Sequence, residues 1–273
     1  MNKKKNKKMI ERLLEEDFDH YNDKKKFNEA KYFNECYQYV SPKEKSQIQG
    51  KFTKPRSSAQ KKYVQILNDP MQKIVIATGP AGSGKTLLAT ETGVKNFLEA
   101  KCEKLVFVRP AVTTDEEIGF LPGTLEDKLA PWMRPLYDVL YNFISPQEVT
   151  ELIQEKIIEI SPLAYMRGRT FKNCWIVADE MQNSSINQMK MMLTRIGEGT
   201  KLVITGDLEQ NDRHGEINGL EDFLGRFKGR RSESIASVEF DCEDIERSEV
   251  VKEILDIYKA PEIPPGYTDE FNC

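Results

Sequence analysis

An apolar, β-branched run, Lys73-Ile-Val-Ile-Ala-Thr78, breaks into Gly79-Pro-Ala-Gly-Ser-Gly-Lys85-Thr86, and Leu87 to Leu98 then reads as a helix. Glycines at 79, 82 and 84 belong in neither a strand nor a helix interior. The spacing G-x-x-x-x-G-K-[ST] between strand and helix predicts a loop whose N–H groups turn inward around phosphate oxygens. The helix start adds the positive end of its dipole. A chain carrying this unit is committed to strand, loop and helix, hence to an α/β fold. Gly79, Pro80, Ala81, Gly82, Ser83 and Gly84 would form the cradle. Lys85 would reach the β- and γ-phosphates of a nucleotide, and the Thr86 hydroxyl would bind magnesium.

The remaining patterning agrees. Strand candidates are 73–78, 104–108, 157–160, 174–178, 201–205 and 235–240. They are apolar along their length rather than alternating, as strands covered on both faces are. A parallel sheet with helices on each side follows. Helices are expected at 57–68, 85–99, 125–142, 147–154, 184–197, 217–227 and 244–259. Residues 1–56 are rich in Lys, Glu, Asp, Asn and Tyr and read as a short, mostly helical, charged and aromatic arm. Such an arm is either a solvated charge run or a surface for nucleic acid or a neighbouring subunit. Residues 57–260 form the main domain, and prolines 261, 264 and 265 mark a non-helical tail at 261–273.

Two further strand ends carry acids. Trp175-Ile-Val-Ala178 runs into Asp179-Glu180, at the end of a strand where α/β sheets present ligands. Asp179 is placed to hold the magnesium shell, and Glu180 to orient or deprotonate an attacking water. Val203-Ile-Thr-Gly206 runs into Asp207-Leu-Glu-Gln210. There Asp207 and Gln210 either reach the γ-phosphate or the lytic water, or form a polar loop with an Asx turn.

Composition excludes other classes. The net charge of −4 makes any nucleic-acid surface a local patch rather than a global field. Five scattered cysteines without a C-x-x-C pair argue against zinc and disulfides and fit a reducing cytoplasm. No run is long enough for a membrane span, and no signal-peptide pattern follows the basic N-terminus.

These pieces together resemble the PhoH family of ATPases, whose single RecA-like core is related to superfamily 1 helicases. The resemblance covers about residues 57–258. It rests on Gly79–Thr86, Val108-Arg-Pro-Ala111, Gly119-Phe-Leu-Pro-Gly123, Pro162–Arg169, Asp179-Glu-Met-Gln-Asn183, Leu193-Thr-Arg-Ile-Gly197 and Thr205–Gln210. Met181 departs from the usual alanine at a non-catalytic position. The short length and lysine-rich arm resemble phage-encoded members. The resemblance implies magnesium-dependent ATP hydrolysis coupled to RNA or single-stranded DNA. It also implies that Gln60 bonds the adenine edge, that Tyr63 stacks on the base, and that Gln182 couples the γ-phosphate to nucleic acid. Arg109, Arg167 and Arg169 would contact a strand's phosphates.

An arginine supplied in trans to the γ-phosphate is worth about three to five orders of magnitude in rate. One RecA-like core takes up most of this chain, so the expected assembly is a ring, a hexamer, with a neighbour's arginine completing each site. Arg195, Arg213 and Arg247 are the candidates, and the resemblance favours Arg247. Two other readings stay open: a nucleotide-dependent switch that recruits a protein partner, and a small-molecule kinase. The absence of an Asn-Lys-x-Asp guanine box favours ATP. The loop from Pro110 to Pro135 is either a moving part or a packed insertion.

Overall fold

The computed structural model describes residues 50–110, 134–210, 218–245 and 250. Residues 1–49 of the expected arm, the loop after Pro110, Arg213, Arg247, all but the first two residues and Val250 of the helix expected at 244–259, and the tail lie outside these residues. Within them the chain alternates strand and helix. The order is α1 (Ser58–Asn68), β1 (Ile74–Thr78), α2 (Lys85–Leu98), β2 (Lys104–Arg109), α3 (Pro146–Gln154) and β3 (Ile158–Pro162). It continues with β4 (Cys174–Ala178), α4 (Ile186–Leu193), β5 (Lys201–Gly206), α5 (Gly219–Phe227) and β6 (Ile235–Glu239). A further helical run covers 134–141.

All six strands join one sheet in the order β3-β2-β4-β5-β1-β6, and every pairing is parallel. The continuous apolar runs are explained by two cores. Val75, Ala77, Leu105, Phe107, Trp175, Val177 and Val203 face α1, α2, α3 and residues 134–141. Their neighbours Ile74, Ile76, Val106, Val108, Ile176, Leu202 and Ile204 face α4 and α5. Alternate side chains of a strand point to opposite faces, so only sheets covered twice need apolar residues at every position. Fully burying one such aliphatic side chain stabilises the fold by about 1.5–3 kcal/mol.

Local chemistry sets the helix starts. Ser57, Ser145 and Ser185 each close a capping box, with Gln60, Glu148 and Gln188 respectively. Asn218 caps α5 through the N–H groups of Leu220 and Glu221. In α2, Gly93 lies under the Trp175 ring, where a Cβ would come within 2.5 Å of it. The Trp175 indole N–H donates to the Ala89 carbonyl at 3.1 Å. A helical glycine costs about 1 kcal/mol against alanine, and here it lets helix and sheet approach closely.

The six strands fall where patterning puts them. Helix α4 is shorter than expected. The chain leaves the helix after Leu193 because Ile196 bridges to Phe171 and the Gly197 N–H donates to the Phe171 carbonyl at 2.7 Å.

Candidate active site

Because all strands are parallel, the ends of β1, β2, β4 and β5 share one edge of the sheet. Strand β5 lies between β1, which carries the glycine loop, and β4, which carries the acids. With strands about 4.8 Å apart, loop and acid strands are about 10 Å apart, and β5 fills the gap between them. A cleft of about 250 Å³ opens there, lined by Gly82, Lys85, Thr86, Asp179, Glu180 and Asp207 among others.

The loop has the conformation its glycines predict, with φ of 133° at Gly79 and 87° at Gly82 and Gly84. A Cβ at Gly79 would lie 2.3 Å from the Phe240 carbonyl oxygen. Gly84 is the N-cap of α2 and brings no capping side chain. No side-chain cap therefore competes with an anion at the positive end of the α2 dipole. The Lys85 ammonium folds onto the loop, donating to the carbonyls of Gly79 at 2.7 Å and Pro80 at 2.8 Å. A phosphate oxygen is the stronger partner for this cation and would replace them. The buried Ser83 hydroxyl donates to the Pro80 carbonyl at 2.9 Å, bracing the turn from within.

Asp179 meets Thr86 across the cleft: the Thr86 hydroxyl donates to Asp179 Oδ1 at 2.7 Å. The Thr205 hydroxyl, from the intervening strand β5, donates to the same oxygen. An oxygen-only pair of carboxylate and hydroxyl suits a small hard divalent cation that keeps several waters and takes phosphate oxygens. The donors therefore fit magnesium. Among the described residues no cluster of three or more His, Cys, Asp or Glu could hold a metal by itself. Sequence patterning does not single out Thr205, since a threonine within an apolar run reads as one more β-branched strand residue.

Glu180 takes a left-handed conformation, φ 54°, which turns the chain sharply at the end of β4. One of its carboxylate oxygens accepts from the Gln182 amide, and the other faces the Arg109 guanidinium at 3.7 Å. Gln182 is buried, and its carbonyl oxygen accepts from the Asp207 backbone N–H at 3.1 Å. Gly206 is required beside it, because a Cβ there would come within 2.9 Å of that amide oxygen.

Asp207 forms the polar loop with an Asx turn, one of the two arrangements expected for it. One carboxylate oxygen accepts from the Glu209 N–H at 3.1 Å, which is the Asx turn. The other accepts from the Ala81 N–H at 3.1 Å and so ties β5 to the glycine loop. Asp207 also lines the cleft. The Gln210 N–H donates to the Asp207 carbonyl at 3.1 Å, closing the same turn.

Other expected residues sit differently. Tyr63 is 0% exposed, packs edge-on against Phe240 and donates its hydroxyl to the Lys85 carbonyl at 3.4 Å. Burial and the nearby Asp179 charge push its phenol well above the usual range. A ring with no open face cannot stack on a base, so here Tyr63 is a core support beneath the loop. Gln60, 3% exposed, accepts from the Arg56 N–H at 2.8 Å and donates to the Ser83 carbonyl at 3.2 Å. Its amide is occupied by the α1 cap and the glycine loop rather than aimed at a base. Arg169 is paired with Glu159, with one bond at 2.7 Å, and lies over the Phe171 ring at 4.5 Å. Its guanidinium is committed within the chain, whereas Arg167 is exposed. Arg195 donates to the carbonyls of Met191 and Arg169, both at 3.0 Å, which anchors the end of α4. As a residue reaching into a neighbour's site it is a poor fit.

Strand, glycine loop and helix, an acid pair two strands away, and a hydroxyl-bearing strand between them define a P-loop fold of the RecA-like class. Residues 52–259 match the family described as PhoH-like protein, and the chain belongs to that family. The PhoH-like protein of Synechocystis sp. is 37% identical over 214 residues, 78% of this chain and 64% of that protein. The PhoH-like protein of Mycobacterium tuberculosis is 40% identical over 223 residues, 79% of this chain and 60% of that protein. That of Bacillus subtilis is 38% identical over 234 residues, 85% and 71% respectively. The matched part of this chain thus spans between 60% and 71% of these relatives. Among solved structures, the Pif1 helicase from Candida albicans overlays with a TM-score of 0.39 and 14% identity, over 76% of this chain and 44% of that one. Among the described residues no helix is long and apolar enough to cross a membrane.

Proposed function

We propose that this protein binds ATP with magnesium and hydrolyses it, and that RNA or single-stranded DNA sets the rate. The observation that carries the reading is the meeting of Thr86, Thr205 and Asp179 on one oxygen, beside the Lys85 loop and next to Glu180. The loop N–H groups and Lys85 bind the β- and γ-phosphates. Thr86 and Asp179 would hold the magnesium ion, which when bound offsets phosphate charge. Glu180 accepts a proton from water as the water oxygen bonds to the γ-phosphorus. The bond to the ADP oxygen breaks in the same displacement. Thr205 holds the Asp179 carboxylate in place, and Gln182 and Asp207 keep the β4 and β5 ends in register with the loop.

Two parts of this reading draw on the sequence and the family resemblance. One is the polymer partner, for which Arg109 and Arg167 are the proposed contacts, with the buried Gln182 coupling them to the γ-phosphate site. The other is a hexameric ring in a cytoplasm, with Arg247 of a neighbour reaching the γ-phosphate. A second reading, a slow nucleotide switch for a protein partner, is favoured by the restrained Glu180, whose two oxygens both face donors within the chain.

The test is steady-state ATP hydrolysis with magnesium, alone and with a thirty-nucleotide oligo(U) or oligo(dT), beside Glu180→Gln. Turnover that rises with one polymer and vanishes in the variant is expected. Hydrolysis indifferent to both polymers would favour the switch, and no hydrolysis would sink the enzymatic reading.

A further inference from the structure

The Arg109–Glu180 contact joins two strand ends. Arg109 is the last residue of β2, and Glu180 follows the adjacent strand β4. Between them the Asp179 N–H donates to the Val108 carbonyl at 2.8 Å, so the two backbones are fixed relative to each other. Only the side chains are free to change partners. Their surroundings differ sharply. Gln182, on one oxygen of Glu180, is 1% exposed and is itself held by the Asp207 N–H. Arg109, on the other, has a side chain that is 34% exposed, and that of Glu180 is 33% exposed. One restraint on the carboxylate is buried and permanent. The other sits at the rim of the cleft, within reach of a ligand.

The same edge carries groups that suit a nucleic-acid strand. Arg109 is in register with Pro162 at the end of β3. Beyond Pro162 the chain turns through Leu163–Met166, where Tyr165 is 57% exposed. Arg167 follows, exposed, and then Gly168, with φ 78° and open space where a Cβ would be. An exposed aromatic ring with arginines along the same sheet edge is the kind of surface on which a base stacks while its phosphates are neutralised.

We propose that Arg109 is a positioning residue that restrains Glu180 until a phosphate of single-stranded nucleic acid takes its guanidinium. Two phosphate oxygens offer a bidentate partner, which a 3.7 Å contact to one carboxylate oxygen does not match. Transfer of Arg109 to the polymer leaves Glu180 held by Gln182 alone and free to turn toward water. Arg167 and Tyr165 hold the strand beside it. This deepens the proposed function and rests on it.

The experiment measures turnover of wild type, Arg109→Gln, Arg109→Lys and Tyr165→Ala, each alone and with the oligo(U) or oligo(dT). A half-exposed ion pair restrains weakly, so Arg109→Gln is expected to raise polymer-free turnover about two- to fivefold. It should also bring the stimulation by polymer close to one. Arg109→Lys should restore part of that stimulation, because a lysine still binds phosphate as a point charge. Tyr165→Ala should raise the polymer concentration needed for half-maximal stimulation. Stimulation by only one oligonucleotide names the polymer. An Arg109→Gln protein with wild-type basal rate and wild-type stimulation would overturn the proposal. So would one with lower basal turnover, since Arg109 would then be assisting Glu180. If wild type hydrolyses ATP but ignores both polymers, this inference fails while the ATPase reading stands. If wild type does not hydrolyse ATP, the ATPase reading itself fails.

Discussion

At the scale of single residues, the oxygen Oδ1 of Asp179 decides the site. It accepts two hydroxyls, one from each side: Thr86 at the start of α2 and Thr205 in β5. A hydrogen bond to a charged group is worth about 1.5–3 kcal/mol. If the Thr205 bond orients Asp179 in the transition state, Thr205→Val should lower kcat about ten- to a hundredfold. Valine keeps the β-branched shape inside the sheet, so the melting temperature should move little. Steady-state kinetics beside a thermal melt checks both halves. A large fall in melting temperature with unchanged kcat would make Thr205 a packing residue only. Much of this chemistry is legible in the chain. Lys85, Thr86, Asp179 and Glu180 all line the cleft that spacing predicts for them. Tyr63 and Gln60 sit apart from the roles the resemblance implies, because the packing of α1 against the glycine loop consumes both side chains.

At the scale of elements, the segment before α1 is strapped across the molecule. Phe52 stacks on Phe143 with ring centroids 4.3 Å apart, and the Lys51 ammonium donates to the Asn142 carbonyl at 2.9 Å. Thr53 donates its N–H at 2.8 Å and its hydroxyl at 2.9 Å to the two carboxylate oxygens of Glu91 in α2. Burial pushes the Glu91 carboxyl up, and the Thr53 bonds offset this only in part. The folded state therefore binds the proton more tightly than the unfolded state. The stability this group contributes is full below its unfolded value of about 4.5 and is lost as pH rises through its raised folded value. Glu91→Gln keeps one acceptor for Thr53 and removes the titration. Urea midpoints of the two proteins from pH 4 to 7 should diverge in favour of the variant as pH rises. Parallel curves would contradict this. The element boundaries teach a related lesson. The apolar runs of the central strands are legible because those strands are covered on both faces, whereas α4 ends at a bridge to Phe171, a residue outside any local window.

At the scale of the whole molecule, the proposed ring has a direct test. In a site shared between subunits, Arg247→Ala and Glu180→Gln damage opposite sides of the same interface. Each variant alone should be inactive. Mixed and allowed to exchange subunits, they should regain hydrolysis, because a Glu180 from one can meet an Arg247 from the other. No recovery from a mixture shown to exchange would place the arginine elsewhere, and a particle with the mass of one chain would remove the ring.

The sequence by itself determined the class of this protein, because each signal is local. A glycine loop needs its own residues' φ angles, an apolar run needs only its own burial, and a strand that ends in acids needs only its next two residues. Tertiary structure decided what those signals act on. It inserted β5 between loop and acids, which brought Thr205 to Asp179 and Asp207 to Ala81. It set Arg109 against Glu180 across neighbouring strand ends and withdrew Arg169 into a pair with Glu159. Such pairings join residues far apart in the chain. Strand order chooses them, and strand order comes from the packing of all the helices at once.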